Sequence, residues 1–204
     1  MPRTGARGGP QTRAKIAETA SRLFLERGFD AVTVADVAKA AGVSSVTVFN
    51  HFPRKEDLFL DRAVDAEEIL RSAVRDRAPD LDVLSSLRET ALRLVDAGHP
   101  LSGLDARSVP FFRTVAASPA LVARAREIGS DLERTLAAEL ERDPRFDGDP
   151  MLCAAFFIAG YSAVFIQTVR RRLAGEAPSA IVEDHRGRLE RLFDALRGGV
   201  AARP

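Results

Sequence analysis

The sequence predicts an all-α protein, and three observations carry that prediction. From about Thr12 onward, apolar residues recur at spacings of three and four, the period of a helix with one buried face. Gly28, Gly42, Pro53, Pro79, Pro119, Pro150 and Pro178 stand at the ends or beginnings of these periodic stretches, where helices stop and start. No segment alternates apolar and polar residues as a half-buried strand does, and no internal repeat is visible.

The elements follow in order. Residues 1–11 are rich in Gly, Pro and Arg and read as a flexible basic arm. A first helix opens near Thr12, buries Ile16, Ala20, Leu23 and Phe24, and ends at Gly28. Thr33 then reads as the N-cap of a short helix, with Asp36 as its capping-box partner. Val34, Val37, Ala38 and Ala41 form the inner face of that helix, and Gly42 closes it. Ser44 reads as the next N-cap, of a helix that runs to His51 and is broken by Pro53. One long helix is expected from Lys55 to Arg77, with Leu58, Val64, Ile69 and Val74 among its apolar positions. Further helices are expected over 81–97, 119–142, 150–174 and 178–197, with an irregular stretch over 100–118.

Two short capped helices joined by a glycine turn, behind a longer helix, suit a steep helix–turn–helix. In the second of them Val43, Val48 and Phe52 are placed to face inward, leaving Ser45, Thr47, Phe49 and Asn50 outside. Hydroxyls, an amide and a ring replace the Lys and Glu of an ordinary solvated face, and suit contact with phosphates and base edges. Charge agrees. Residues 1–55 hold nine basic and four acidic side chains, a net +5 in a chain of net +1.

Composition excludes other classes. Apolar residues at 46% allow a substantial core in 204 residues. The single cysteine, Cys153, leaves no intramolecular disulfide and no cysteine-based zinc site, and fits a cytoplasmic chain. No apolar segment follows the basic N-terminus, so no signal peptide is expected. His51, His99 and His185 lie in separate segments without metal-ligand spacing. There is no phosphate-binding glycine loop and no nucleophile elbow. Neither catalysis, nor a metal, nor a cofactor is expected.

Met151–Val169 is a run of 19 residues without a charge, followed by Arg170, Arg171 and Arg172. At about 1.5 Å per residue it nearly matches a bilayer. Gly160, Ser162, Gln167 and Thr168 within it, and the amphipathic segments around it, favour a core helix of a dimeric soluble domain and no membrane. The last helix carries a stripe through Ile181, His185, Arg188, Leu189, Leu192 and Leu196, with Phe193 beside it, which can pack against a second subunit or only within its own chain. On the first of these packings, Ile158, Phe165, Leu189, Leu192, Phe193 and Leu196 are expected at a homodimer interface.

Residues 12–60 resemble the tetracycline-repressor (TetR) family of bacterial regulators. The resemblance rests on Gly28-Phe29, Thr33-Val34, Ala41-Gly42-Val43-Ser44, Thr47-Val48-Phe49, His51-Phe52 and Lys55-Glu56, in that order. It implies a DNA-binding domain over 12–54 and a helical ligand-sensing and dimerisation domain over 55–200. It implies a homodimer on an inverted-repeat operator in double-stranded DNA, with the helix from Ser44 to His51 in the major groove. Carried over by position, Thr33 and Lys55 match phosphate contacts. Ser44, Ser45, Thr47, Phe49, Asn50 and His51 match DNA-facing positions, and Val46 adds methyl contacts. Arg3, Arg7 and Arg13 are candidates for further backbone contacts. This chain departs from the family at position 45, often basic there and Ser here. The resemblance also implies a small-molecule effector that releases the repressor from DNA, with the helix from Lys55 carrying the change. Phe111, Phe112, Phe156, Phe157, Tyr161, Phe165 and Gln167 are candidate pocket residues, and favour hydrophobic drugs, lipids or acyl thioesters over sugars. The rival reading is a DNA-binding architectural protein that senses no ligand.

Overall fold

A computed structural model describes residues 9–199. Among the described residues there are nine α-helices and no strand: α1 (Pro10–Arg27), α2 (Val34–Ala41), α3 (Ser45–His51), α4 (Ala63–Arg75), α5 (Val83–Asp96), α6 (Val109–Ala117), α7 (Pro119–Glu141), α8 (Pro150–Leu173) and α9 (Pro178–Gly199). They fall into two compact units. The first holds residues 9–61 together with Arg113–Ala125. The second holds Arg62–Phe112 and residues 126–199.

The first unit is built on aromatic packing. Phe24 from α1 meets Phe29 at 4.9 Å and Phe59 edge-on at 5.6 Å between ring centroids. Ile16, Ala20, Val37, Ala41 and Val48 are fully buried around them. α1 starts at Pro10, two residues inside the expected arm, because proline fits the first turn of a helix. The rest of the arm, with Arg3 and Arg7, lies outside the described residues. The expected single helix from Lys55 to Arg77 is interrupted. Glu56–Leu58 forms one 3-10 turn, and α4 begins only at Ala63. The cause is burial: Leu58 and Phe59 turn into the core of the first unit, at 1% and 3% exposure. This also carries the unit past Arg54. Arg124 joins it through an ion pair to Asp57 at 2.8 Å.

The second unit packs α4 on α5, α5 on α9, and α8 on α9. Its core includes Leu70, Val74, Leu87, Leu136, Leu140, Phe157, Ile181, Leu189 and Phe193. Of the apolar positions read from the sequence, Val74 is buried on α4 together with Leu70 and Ala73, whereas Val64 is 59% exposed. Gly160 marks a close approach of α8 and α9, since a Cβ there would come within 2.2 Å of a Leu192 methyl. Two ion pairs use buried carboxylates. Arg75 binds Glu139 through two bonds of 2.5 and 2.6 Å. Arg77 binds Asp143 at 2.5 Å and donates to the carbonyls of Val74 and Leu81.

His185 is buried on α9 and its Nδ1 lies 2.7 Å from the Thr168 hydroxyl of α8. Burial lowers its pKa from 6.5 to about 4, with Asp184 raising it slightly and Arg186 lowering it. The folded chain thus holds a neutral imidazole that the unfolded chain protonates below pH 6.5. The contribution is complete above pH 6.5 and is lost as pH falls toward 4, by about 3 kcal/mol at most. Urea unfolding across that window is expected to show a steep acid loss of stability, flattened in a His185→Gln protein.

Candidate nucleic-acid interface

The interface is assembled from α2, its turn and α3. Thr33 and Asp36 form a complete capping box: the Asp36 amide donates to the Thr33 hydroxyl (3.1 Å), and the Asp36 carboxylate accepts from the Thr33 amide (2.9 Å) and hydroxyl (2.6 Å). These bonds hold the Asp36 carboxyl below its ordinary pKa. The Thr33 hydroxyl proton is therefore committed to Asp36, and a phosphate contact from that hydroxyl requires the box to open.

The turn depends on Gly42. Its backbone is left-handed (φ 69°, ψ 35°), and Val43 donates back to the Ala38 carbonyl at 3.0 Å. A side chain in this conformation costs about 1–2 kcal/mol. A Gly42→Ala protein is expected to lose that much stability in thermal melts of the first unit, with α2 and α3 retained by circular dichroism.

Ser44 caps α3: its hydroxyl accepts from the Thr47 amide (3.0 Å) and lies 2.8 Å from the Thr47 hydroxyl. Val48 and Phe52 anchor the inner side, both essentially fully buried. The outer side presents Val46 at 69% and Phe49 at 50% exposure, with Asn50 exposed beside them. Ser45, Thr47 and His51 are half-buried on the flanks, and Ser44 is exposed. Lys55 does not reach away from the fold: its ammonium lies 4.2 Å from the centre of the Phe29 ring. Arg13 likewise stacks on Phe52 at 4.6 Å and donates to the Asp61 carbonyl.

The other candidate residues sort differently. Phe111, Phe112 and Phe165 form one chain of edge-on rings, at 5.4 and 5.7 Å. Phe157 joins Tyr161 and Phe193 in a second, at 5.9 and 5.8 Å. The Tyr161 hydroxyl donates to the Leu101 carbonyl, and burial pushes its pKa up to about 12. Gln167 is half-buried. Phe156 belongs to neither cluster: it is 53% exposed and turned away from the core, so it does not line an interior pocket.

The expected dimer stripe needs the same correction. Leu189 and Phe193 are 0% exposed, Leu196 2% and Ile158 9%, all within the core of their own unit. Leu192 packs against that core, and Phe165 packs on Phe112. The stripe of α9 is consumed by α5 and α8 of the same chain. What stays exposed is a strip along α8: Leu152, Phe156, Ala159, Ala163 and Ile166. Nothing in the sequence distinguished it, because α8 is apolar on every side. α8 is long and apolar enough to cross a membrane, but Cys153, Ala154, Phe157, Ile158, Val164 and Thr168 on it are buried in the core. Burial also pushes the Cys153 thiol up to about 11, so it stays protonated and unreactive. Among the described residues no group of His, Cys, Asp and Glu is arranged to hold a metal.

Residues 16–61 match the family model described as bacterial regulatory proteins, tetR family. The chain is 36% identical over 95 residues to the HTH-type transcriptional repressor KstR2 of Rhodococcus jostii, a match over 43% of this chain that spans 45% of that relative. It is 28% identical over 158 residues to the HTH-type transcriptional regulator TcmR of Streptomyces glaucescens, covering 76% of this chain and 70% of the relative. Among solved structures, it resembles Thermus thermophilus FadR, a TetR-family transcriptional repressor in complex with lauroyl-CoA. That likeness has a TM-score of 0.55 at 25% identity and covers 94% of this chain and 96% of the other. NalD of Pseudomonas aeruginosa shares the fold, with a TM-score of 0.56 at 21% identity over 94% of this chain and 96% of that one.

Proposed function

Since this chain belongs to the tetR family of bacterial regulatory proteins, we propose that it is a cytoplasmic, sequence-specific transcriptional repressor whose hold on DNA is set by a small ligand. The observation that carries this reading is the outer side of α3. Val46, Phe49 and Asn50 stand in solvent on a rigidly capped helix–turn–helix, where a helix made only for solubility would carry charge. In this reading α3 enters the major groove. Ser44, Ser45, Thr47 and His51 border the contact, Lys55 adds charge near the backbone, and the first-turn amides of α2, with Thr33 at their head, meet a phosphate.

A second copy of the chain covers the exposed strip of α8. Ala159 and Ala163 allow two such helices to approach closely, while Leu152, Phe156 and Ile166 supply apolar area. Two heads on one two-fold axis then read an inverted repeat. The effector is an apolar molecule, of the acyl-thioester or hydrophobic-drug kind. The ring clusters around Phe112 and Phe157 are where it enters, with Tyr161 and Gln167 as polar groups. The solved relative with lauroyl-CoA supports this class. Such a ligand releases DNA only if it binds the non-binding arrangement more tightly than the binding one.

Displacement tests this reading. With the protein held on a selective duplex, long-chain acyl thioesters and hydrophobic drugs are titrated in and DNA release is followed by fluorescence anisotropy. Release at concentrations that leave the fold intact is the expected result. Undiminished binding across all classes favours the ligand-independent architectural reading instead.

A further inference from the structure

The chemistry on the outer side of α3 goes further, to the composition of the DNA it reads. Val46, Phe49 and Asn50 are spaced i, i+3, i+4 and so share one strip of the helix, opposite buried Val48. The strip contains two apolar surfaces and one amide; α3 holds no Arg or Lys, and its one basic side chain, His51, is half-buried in the last turn, off the strip. Two of the three nearby hydroxyls are engaged: those of Ser44 and Thr47 lie 2.8 Å apart, and that of Ser44 also accepts from the Thr47 amide; the third, on Ser45, sits half-buried on the flank, off the strip.

The major groove offers distinct partners to such a strip. Guanine shows two acceptors, N7 and O6, which call for a fork of donors, and cytosine adds one amino donor. Adenine shows an acceptor and a donor side by side, which one carboxamide satisfies with both its atoms. Thymine adds a methyl group, for which an apolar side chain is the natural cover. Val46 and Phe49 pressed on a G·C edge would bury polar groups without partners. The rise from position 46 to position 50 is about 6 Å, close to two base-pair steps of about 3.4 Å. The three side chains therefore address two or three neighbouring pairs.

We propose that each half-site presents a short run of A·T pairs to α3, with thymine methyls against Val46 and Phe49 and an adenine held by Asn50. The proposal rests on the reading of α3 as a recognition helix, and names what it recognises.

The test uses the full chain and a pool of randomised duplexes carried through rounds of binding. The best duplex is then remade with thymine replaced by uracil, which pairs identically and lacks only the methyl group. The expected half-sites carry consecutive A·T pairs at the centre of the contact. Each uracil there weakens binding about fourfold, the worth of one buried methyl. Asn50→Ala weakens it about five- to a hundredfold, in the range of a lost bidentate base contact. In a Val46→Ala protein one of the uracil penalties disappears. Val46 is exposed, so that variant keeps its fold. Enrichment of an inverted repeat with G·C pairs at those positions, or indifference to uracil, overturns the proposal and leaves the operator reading standing. Enrichment of no sequence overturns both.

Discussion

A Phe156→Glu protein is expected to sediment as a monomer and to bind an inverted-repeat duplex about 10²–10⁴-fold more weakly than the native chain, the range lost when two linked contacts become one. Phe156 is half in solvent, so the substitution leaves no cavity in the folded subunit. Its neighbours on the strip are Leu152, Ala159 and Ile166, and none can accept a carboxylate from a second copy. Burying that charge without a partner makes association unfavourable. Sedimentation equilibrium reads the oligomer and anisotropy reads the DNA, while unchanged helical circular dichroism shows that the subunit is intact. A dimer that survives the substitution would place the interface elsewhere than on α8. A monomer that binds as tightly as before would remove the need for two heads.

The largest expected loss of stability follows from Arg77→Met. Arg77 and Asp143 side chains are 1% and 7% exposed, and the guanidinium also satisfies two backbone carbonyls. Removing the cation leaves a buried carboxylate beside Arg145, whose side chain lies 3.6 Å away and whose amide donates to it at 3.2 Å. Breaking a buried pair from one side typically costs about 3–5 kcal/mol. The second unit is expected to melt roughly 6–20 °C lower by calorimetry, at about 2–4 °C per kcal/mol. Adding Asp143→Asn to Arg77→Met is expected to restore part of the loss, since the stranded charge is then gone. Equal melting of the Arg77→Met and native proteins would mean that Arg77 contributes packing alone.

The head was legible in the sequence because its signals are local. Thr33 with Asp36, Gly42, and Ser44 each fix a helix end through bonds three or four residues long, and each falls where the pattern put it. The second unit was legible only as a set of helices. Periodicity shows that Leu189, Phe193 and Leu196 share an apolar face, but not whether a neighbouring helix or a second subunit covers it. Here α5 and α8 of the same chain cover it. In α8 the pattern is apolar throughout, so the division between buried Phe157 and exposed Phe156 exists only in the packing. The break after Leu58 was hidden for a similar reason. Leu58 and Val64 are both apolar positions in what reads as one helix, yet Leu58 is drawn into the first unit while Val64 is left outside. The resemblance places the Lys55 ammonium at a phosphate, but no local pattern tells that it lies over the Phe29 ring, 4.2 Å from its centre.

Whether the chain reads a specific operator is decided by fluorescence anisotropy of the full chain against duplexes tiled from the DNA upstream of its own coding sequence. It needs a scrambled competitor and a salt titration. A sequence-specific repressor binds tightly to one tile that contains an inverted repeat, with little loss to the competitor and a moderate fall with salt. Equal binding to every tile, falling steeply with salt, would contradict that reading and leave a protein that holds only phosphate.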